Sequence, residues 1–296
     1  MKNLIKKLIK SICLFLYYSV DFVIYILCLI RHSAYKNPIK KDKRGTIAVL
    51  ANGPSLKETL SKIEDDDEFK NVDYIVLNYF ANESLFTKIK PKYYCFADPM
   101  FFEETHKTKE AKQLFNVLQN KVDWDMYIYV PKSFKNRFIK FSGINNKSIH
   151  IIGVNCIAYK GFPSIKHYFF KQGLAIPNIA TVAILAIYVC MNKGYDRINL
   201  YGVDHTFFDS LCVNENNELC NQDCHFYDNK KPLLKPIRRN DNSQIWKISD
   251  YLQSITNMFK GHDELAAYAK YLKIQVYNCT RCSMIDSYQR KDYIIK

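Results

Sequence analysis

The stretch Val-Leu-Ala-Asn-Gly-Pro-Ser-Leu-Lys, residues 49–57, puts four turn-forming residues directly after an apolar run. The run itself, Thr-Ile-Ala-Val-Leu-Ala at 46–51, is short, β-branched and uncharged, as a strand buried on both faces is. Pro54 or Ser55 suits the start of a helix with Lys57 and Glu58 in its first turns. A strand, a turn through Gly53 and a helix N-terminus together turn backbone N–H groups and a helix dipole toward an anion. Asn52, Gly53, Pro54 and Ser55 are therefore candidate phosphate ligands; the same residues also serve a βα turn for geometric reasons alone. Other apolar runs end on similar residues: Asn78 in YIVLNYF, Asp98 in KYYCFAD, and Asp204 with His205 after RINLYGV. Ligands of open α/β sheets bind beyond the carboxyl ends of strands, so this recurrence predicts one polar ligand pocket.

Metal chemistry finds little support. There is no Asp-x-Asp pair at a strand end, and the Asp65–Asp67 run reads as a charged helix face or loop. Ten cysteines without an export signal favour free thiols in a reducing compartment. The spacings of Cys220 with Cys224 and of Cys279 with Cys282 would also permit a tetrahedral zinc site.

Positioning such a pocket requires a parallel sheet. Strand-like runs fall at 46–51, 74–80, 92–98, 126–131, 148–154, 197–204 and 274–279, with helical patterns notably at 109–119, 179–193 and 262–272. Uncharged strands alternating with helices predict a Rossmann-like, mostly parallel α/β sheet covered on both faces. Residues 155–177 and 205–258 lack periodicity and read as insertions, the second as a lid.

The formal charge of +14 is uneven. Residues 1–44 hold ten Lys or Arg against Asp21 and Asp42, a net of +8, which leaves the remainder too weakly basic for a nucleic-acid surface. Between Ile12 and Ile30 the only charge is Asp21. A basic, apolar N-terminus of this kind predicts a helix lying at the cytoplasmic face of an anionic membrane, with a single span and a buried core helix as the alternatives. The expected organisation is a membrane-associated segment over 1–44 and a Rossmann-like domain over 45–296.

The motifs in order resemble the bacterial sialyltransferases of glycosyltransferase family 42, which use CMP-activated sialic acid, and partly the related flagellin-modifying glycosyltransferases. The resemblance rests on NGPSLK at 52–57, Asn78, ADPMFFEE at 97–104, GYDRINLYGVD at 194–204, NDNS at 240–243, Gly261-His262 and YNC at 277–279. Asp98 stands where the family has Asn, and Thr206 and His225 fall near the places of its two active-site tyrosines. The family's Arg before the long helix is replaced within IPNIATVAI.

What the resemblance implies is a GT-A-like variant of the sheet and metal-independent transfer of a nonulosonic acid from a CMP-sugar to a glycan or lipid-linked acceptor, without a cofactor. It makes His262 the general base, at a surface site, with His205, His225 and Tyr227 as donors to the departing phosphate; the alternative for His262 is a solvated residue at a helix N-terminus on the lip of the sheet. Asn78 and Asp98 would face the cytidine and ribose, and Thr181 and Asp204 would complete the donor pocket. A homo-oligomer is compatible with this reading, as is work on lipopolysaccharide or capsule at the inner membrane. Two alternatives are a non-catalytic sugar-nucleotide-binding protein and a pterin or nucleotide pyrophosphokinase, the latter needing Mg²⁺.

Overall fold

The computed structural model describes residues 2–32, 34, 36, 39–63, 69–103, 108–223, 233–239 and 244–291. A long helix α1 (Lys2–Arg31) comes first, followed by β1 (Thr46–Leu50), α2 (Leu56–Ile63), β2 (Asp73–Leu77), the single turn α3 (Phe86–Ile89) and β3 (Tyr93–Cys95). Next come α4 (Lys109–Lys121), β4 (Met126–Pro131), α5 (Lys135–Ser142), β5 (Ile149–Val154), α6 (Lys166–Lys171), α7 (Val182–Lys193) and β6 (Arg197–Tyr201). The chain closes with β7 (Leu211–Val213), β8 (Leu219–Asp223), β9 (Leu233–Pro236), α8 (Ile248–Leu272), β10 (Gln275–Asn278) and β11 (Gln289–Arg290).

Eight strands form one sheet in the order β11-β10-β6-β1-β2-β3-β4-β5, and every pairing in it is parallel. Each of β1, β2 and β6 buries its last four residues, which is why they read as continuous apolar runs. One face is covered by α7, α8 and part of α1, with a core that includes Ile47, Val49, Ile184, Tyr188 and Leu265. The other face carries Leu56 of α2, Leu114 of α4 and Phe138 of α5 against Leu50, Val76 and Ile128. All twelve residues of α7 are buried, so this helix has no polar face to display and lies in the core.

The expected strands are present, none longer than the run read from sequence, although β2 begins one residue early, at Asp73. The excess lies mainly at carboxyl ends, as at 78–80, 96–98 and 202–204, where the chain leaves the ladder as a turn. The helix expected at 262–272 begins fourteen residues earlier, at Ile248; its core-facing residues Ile255, Met258, His262, Leu265 and Ala269 keep helical spacing throughout. Within the expected lid, β7, β8 and β9 form a separate antiparallel sheet.

Helix α1 is long and apolar enough to cross a membrane by length and composition. Its two halves differ. Residues 2–17 are exposed on all sides, whereas Tyr25 and Leu29 are buried in the core. Phe22 packs edge-on to Phe162 and Phe169, and the Tyr25 hydroxyl donates to Leu174 O at 2.9 Å. Gly161 allows this approach: a Cβ there would lie 2.8 Å from Phe22 Cβ, and its φ is +123°. Ala34 and Ile39 are buried as well, and Asp42 pairs with the nearly buried Lys193 at 2.6 Å. A domain cut at Gly45 would therefore lose part of its own core.

Candidate active site

In the sheet, β1 is the strand from which the order runs outward in both directions, to β2 on one side and to β6 on the other. The carboxyl ends of diverging strands open a crevice there. A cleft of about 580 Å³ occupies it. Asn52, Gly53 and Pro54 follow β1, Asn78 follows β2, Asp98 lies beyond β3, and Asp204 and His205 follow β6; all line this cleft, together with Thr181 at the start of α7.

Ser55 sits beneath the cleft and is bonded to Asp204. Its N–H donates to Asp204 Oδ1 at 3.3 Å and its hydroxyl to Oδ2 at 2.9 Å. The Gly53 N–H donates to Gly202 O at 2.9 Å. These bonds engage the Gly53 and Ser55 N–H groups that the sequence reading offered to a phosphate, and the anion they place beside Ser55 is the protein's own Asp204 carboxylate, while Asn52 remains on the cleft wall. They also explain Gly53: a Cβ there would lie 1.8 Å from Asp204 Oδ2 and 2.5 Å from Gly202 O. Burial raises the Asp204 pKa, against the lowering effect of the two Ser55 bonds. The loop after β10 holds this strand end from behind, with Thr280 Oγ1 accepting from Val203 N–H at 3.1 Å and the Ser283 hydroxyl donating to Val203 O at 2.7 Å.

The start of α7 is the helix terminus that faces the cleft. Thr181 is extended, makes no side-chain cap bond, and is followed by Val182 and Ala183, which also line the cleft. There is no acidic side chain in that first turn. The positive end of the helix dipole thus faces the cleft, an arrangement that favours an anion.

Asn78 is strained and coupled to Asp98. It adopts φ +45°, its carbonyl accepts from the Tyr94 hydroxyl at 2.6 Å, and its Nδ2 donates to Asp98 Oδ2. Asn78 Oδ1 is buried without a hydrogen-bond partner among the described residues, which suits a ligand that brings a donor such as an exocyclic amine. Burial raises the pKa of Asp98, partly offset by the Asn78 bond.

His262 differs most from expectation. Far from the lip of the sheet, it is fully buried in the middle of α8. Its Nε2 lies 3.1 Å from His205 Nε2 and its Nδ1 lies 3.1 Å from the Tyr288 hydroxyl. Burial, reinforced by the neighbouring ring, lowers the His262 pKa to about 3, and burial alone lowers that of His205 to about 4. Both rings are therefore neutral near pH 7. His205 is the ring that lines the cleft, at φ +54° and stacked on Phe207 at 5.5 Å between centroids.

His225, Tyr227, Cys224, Asp65–Asp67 and the NDNS run lie outside the described residues. Among the described residues no three potential metal ligands come together, so Cys220, Cys279 and Cys282 do not form a metal site by themselves. No protein-family model and no curated protein matches this chain. Sequence reasoning missed Phe207, Tyr251 and Met258, which line the cleft from the segment without periodicity, and Tyr288, the partner of His262. Only the helical spacing that extends back from His262 to Ile248 carries a signal for two of them, Tyr251 and Met258.

Proposed function

We propose that this protein is a membrane-surface glycosyltransferase that moves a nonulosonic acid from a CMP-sugar to a surface-glycan acceptor without a metal, on a GT-A-like variant of the parallel sheet. The observation that carries the reading is the convergence of Asn52, Asn78, Asp98, Thr181 and His205 on one cleft at the point where the strand order diverges.

The chemistry needs three functions. The anomeric carbon–oxygen bond to phosphate breaks, the acceptor oxygen bonds to that carbon, and the acceptor's proton goes to a base while CMP departs. His205 replaces His262 as the base in this reading, because it alone of the two faces the cleft. For its Nδ1 to accept a proton, His205 must carry hydrogen on Nε2 and donate it to His262 Nε2. His262 then carries hydrogen on Nδ1 and donates to the Tyr288 oxygen. His262 is in this way a positioning residue that fixes the tautomer of His205. A pKa near 4 makes a weak base in the empty cleft, and the negative charge of a bound donor raises it toward the working range. The departing phosphate would be met by the α7 N-terminus. Asn78 Oδ1 would accept from the cytosine amine. The exposed, lysine-bearing half of α1 would lie on the cytoplasmic face of the inner membrane.

Incubating the full chain with CMP-sugars and UDP-sugars in chelator, and measuring released nucleotide, tests the reading. Release from a CMP-sugar that persists without divalent metal is expected, and His205→Gln should slow it by about 10²- to 10⁴-fold. Activity restricted to a polyphosphate donor with Mg²⁺ would favour the pyrophosphokinase alternative instead.

A further inference from the structure

A second cavity, also of about 580 Å³, adjoins the cleft and shares Asp98, Ala180, Phe207, Tyr251 and Met258 with it. Its private lining is different in kind. The donor cleft is lined by no Lys or Arg among the described residues, whereas this cavity carries Arg238 and Arg239 with Trp246 and Ser254. Arg239 Nη2 donates to Asp250 at 2.7 Å, and its guanidinium centre lies 4.6 Å from the Trp246 ring, so its plane is held in place. Its Nε is buried and has no acceptor among the described residues. Arg238 is exposed and forms no ion pair with a described acid. Among the described residues, the one carboxylate lining the cavity is Asp98. Arg239 is paired with Asp250 but keeps its Nε–H unused, and Arg238 has no described acid beside it, so the cavity offers guanidinium donors whose geometry matches carboxylates and phosphates in particular.

We propose that this cavity is the acceptor subsite and that it selects a glycan whose terminal sugar carries a carboxylate or phosphate. The inference rests on the glycosyltransferase reading of the neighbouring cleft. Phe207 and Tyr251 line both cavities and offer flat apolar faces to sugar rings at the junction. Phe207 is stacked on His205, so a sugar seated beside it brings a hydroxyl toward the base. The anion is assigned to the acceptor because Arg238 and Arg239 do not line the cleft that holds Asn52, Asn78 and His205 together.

Galactose and galacturonic acid, which differ at C6 by a hydroxyl against a carboxylate, are suitable probes. The full chain in a neutral detergent is titrated with each by ligand-observed NMR, with and without CMP. Galacturonic acid is expected to bind at least tenfold tighter than galactose. Arg238→Gln should bring that ratio close to one, chiefly by weakening galacturonic acid. Arg239→Lys, which keeps the charge and the contact with Asp250, should retain most of the preference. Equal affinities for the two sugars, or a preference that survives in the Arg238→Gln, Arg239→Gln double variant, would overturn the inference. Competition between galacturonic acid and CMP would overturn it too, by placing the anion in the donor cleft. If CMP fails to bind, the nucleotide reading of the cleft falls, while the sugar pair still decides whether the arginine cavity recognises anions.

Discussion

Acidification should destabilise this protein mainly through the His205–His262 pair. An unfolded histidine titrates near 6.5. In the fold the two rings are held to about 4 and about 3 by burial. A histidine whose folded pKa is depressed is deprotonated in the native state while the unfolded chain takes up a proton, so stability is intact above pH 6.5 and falls as pH drops below it. Each ring costs about 1.4 kcal/mol per pH unit until its folded pKa is approached. Two rings over the interval from 6.5 to 4.5 amount to on the order of 4 to 5 kcal/mol, which is comparable to the whole stability of many domains. Asp98 and Asp204 act in the opposite sense, because their raised pKa values add stability as pH falls. That contribution is common to wild type and variant and cancels in the difference. Urea unfolding of the full chain in neutral detergent, followed by near-UV circular dichroism at pH 7.5, 6.5, 5.5 and 4.5, measures the effect. Wild type should lose stability about 2.7 kcal/mol per unit faster than the His205→Gln, His262→Gln double variant below pH 6.5. Parallel pH profiles would refute the reasoning. Should the variant not fold, ¹³C-labelled histidine in the wild type gives a second reading, with the imidazoles of His205 and His262 remaining untitrated down to pH 5.

Gly53→Ala should destabilise the protein by about 1–3 kcal/mol, the usual cost of overpacking, because the new methyl falls on Asp204 and Gly202 and both are held by further hydrogen bonds. Chemical denaturation reads this directly, and a neutral result would mean that the turn can open away from Asp204. Removing residues 2–17 should leave a folded protein with weaker binding to anionic vesicles, whereas removing 1–44 should give aggregation. The larger cut takes away the buried Tyr25, Leu29 and Ile39, together worth on the order of 5 kcal/mol, and breaks the Asp42–Lys193 pair. A monodisperse, normally melting 45–296 fragment would contradict it.

Much of the sheet was legible because its strands are buried on both faces and carry no competing pattern. Met126–Pro131 has the bounds read from sequence, and β1 differs by one residue. The strand ends were overrun at 78–80, 96–98 and 202–204 because Tyr79, Phe80, Phe96 and Val203 are as apolar as a strand, although the backbone has already left the ladder to form the site. The membership of the cleft was also legible, since polar residues at strand ends have one place to go in a parallel sheet. Their roles were not. Ser55 and Asp204 satisfy each other, and nothing in the local sequence says that the partner of a helix N-terminus lies 149 residues away. His262 was misplaced for a related reason. A Gly-His pair reads as a helix start, and only the apolar residues of α8 that precede it, Ile255 and Met258, place it mid-helix with a buried face.

The same long-range packing divides α1 into two unlike halves. A tether that only binds lipid needs no complementarity with the domain it carries, and its apolar residues can face any direction. Here the first half of α1 meets that description, with Leu4, Leu8, Phe15 and Leu16 all exposed. The second half does not, because Tyr25 hydrogen-bonds Leu174 O and Phe22 fills the space left by Gly161. Residues 159–174 thus receive the helix on one side, and the chain from there runs directly to Thr181 at the cleft. A membrane surface engaged by residues 2–17 would therefore hold the cleft at a fixed height and orientation, which a flexible linker would not provide. On the proposed glycosyltransferase reading, fixed geometry of this kind would raise the effective concentration of a lipid-linked acceptor only if that acceptor reached the cavity of Arg238 and Arg239.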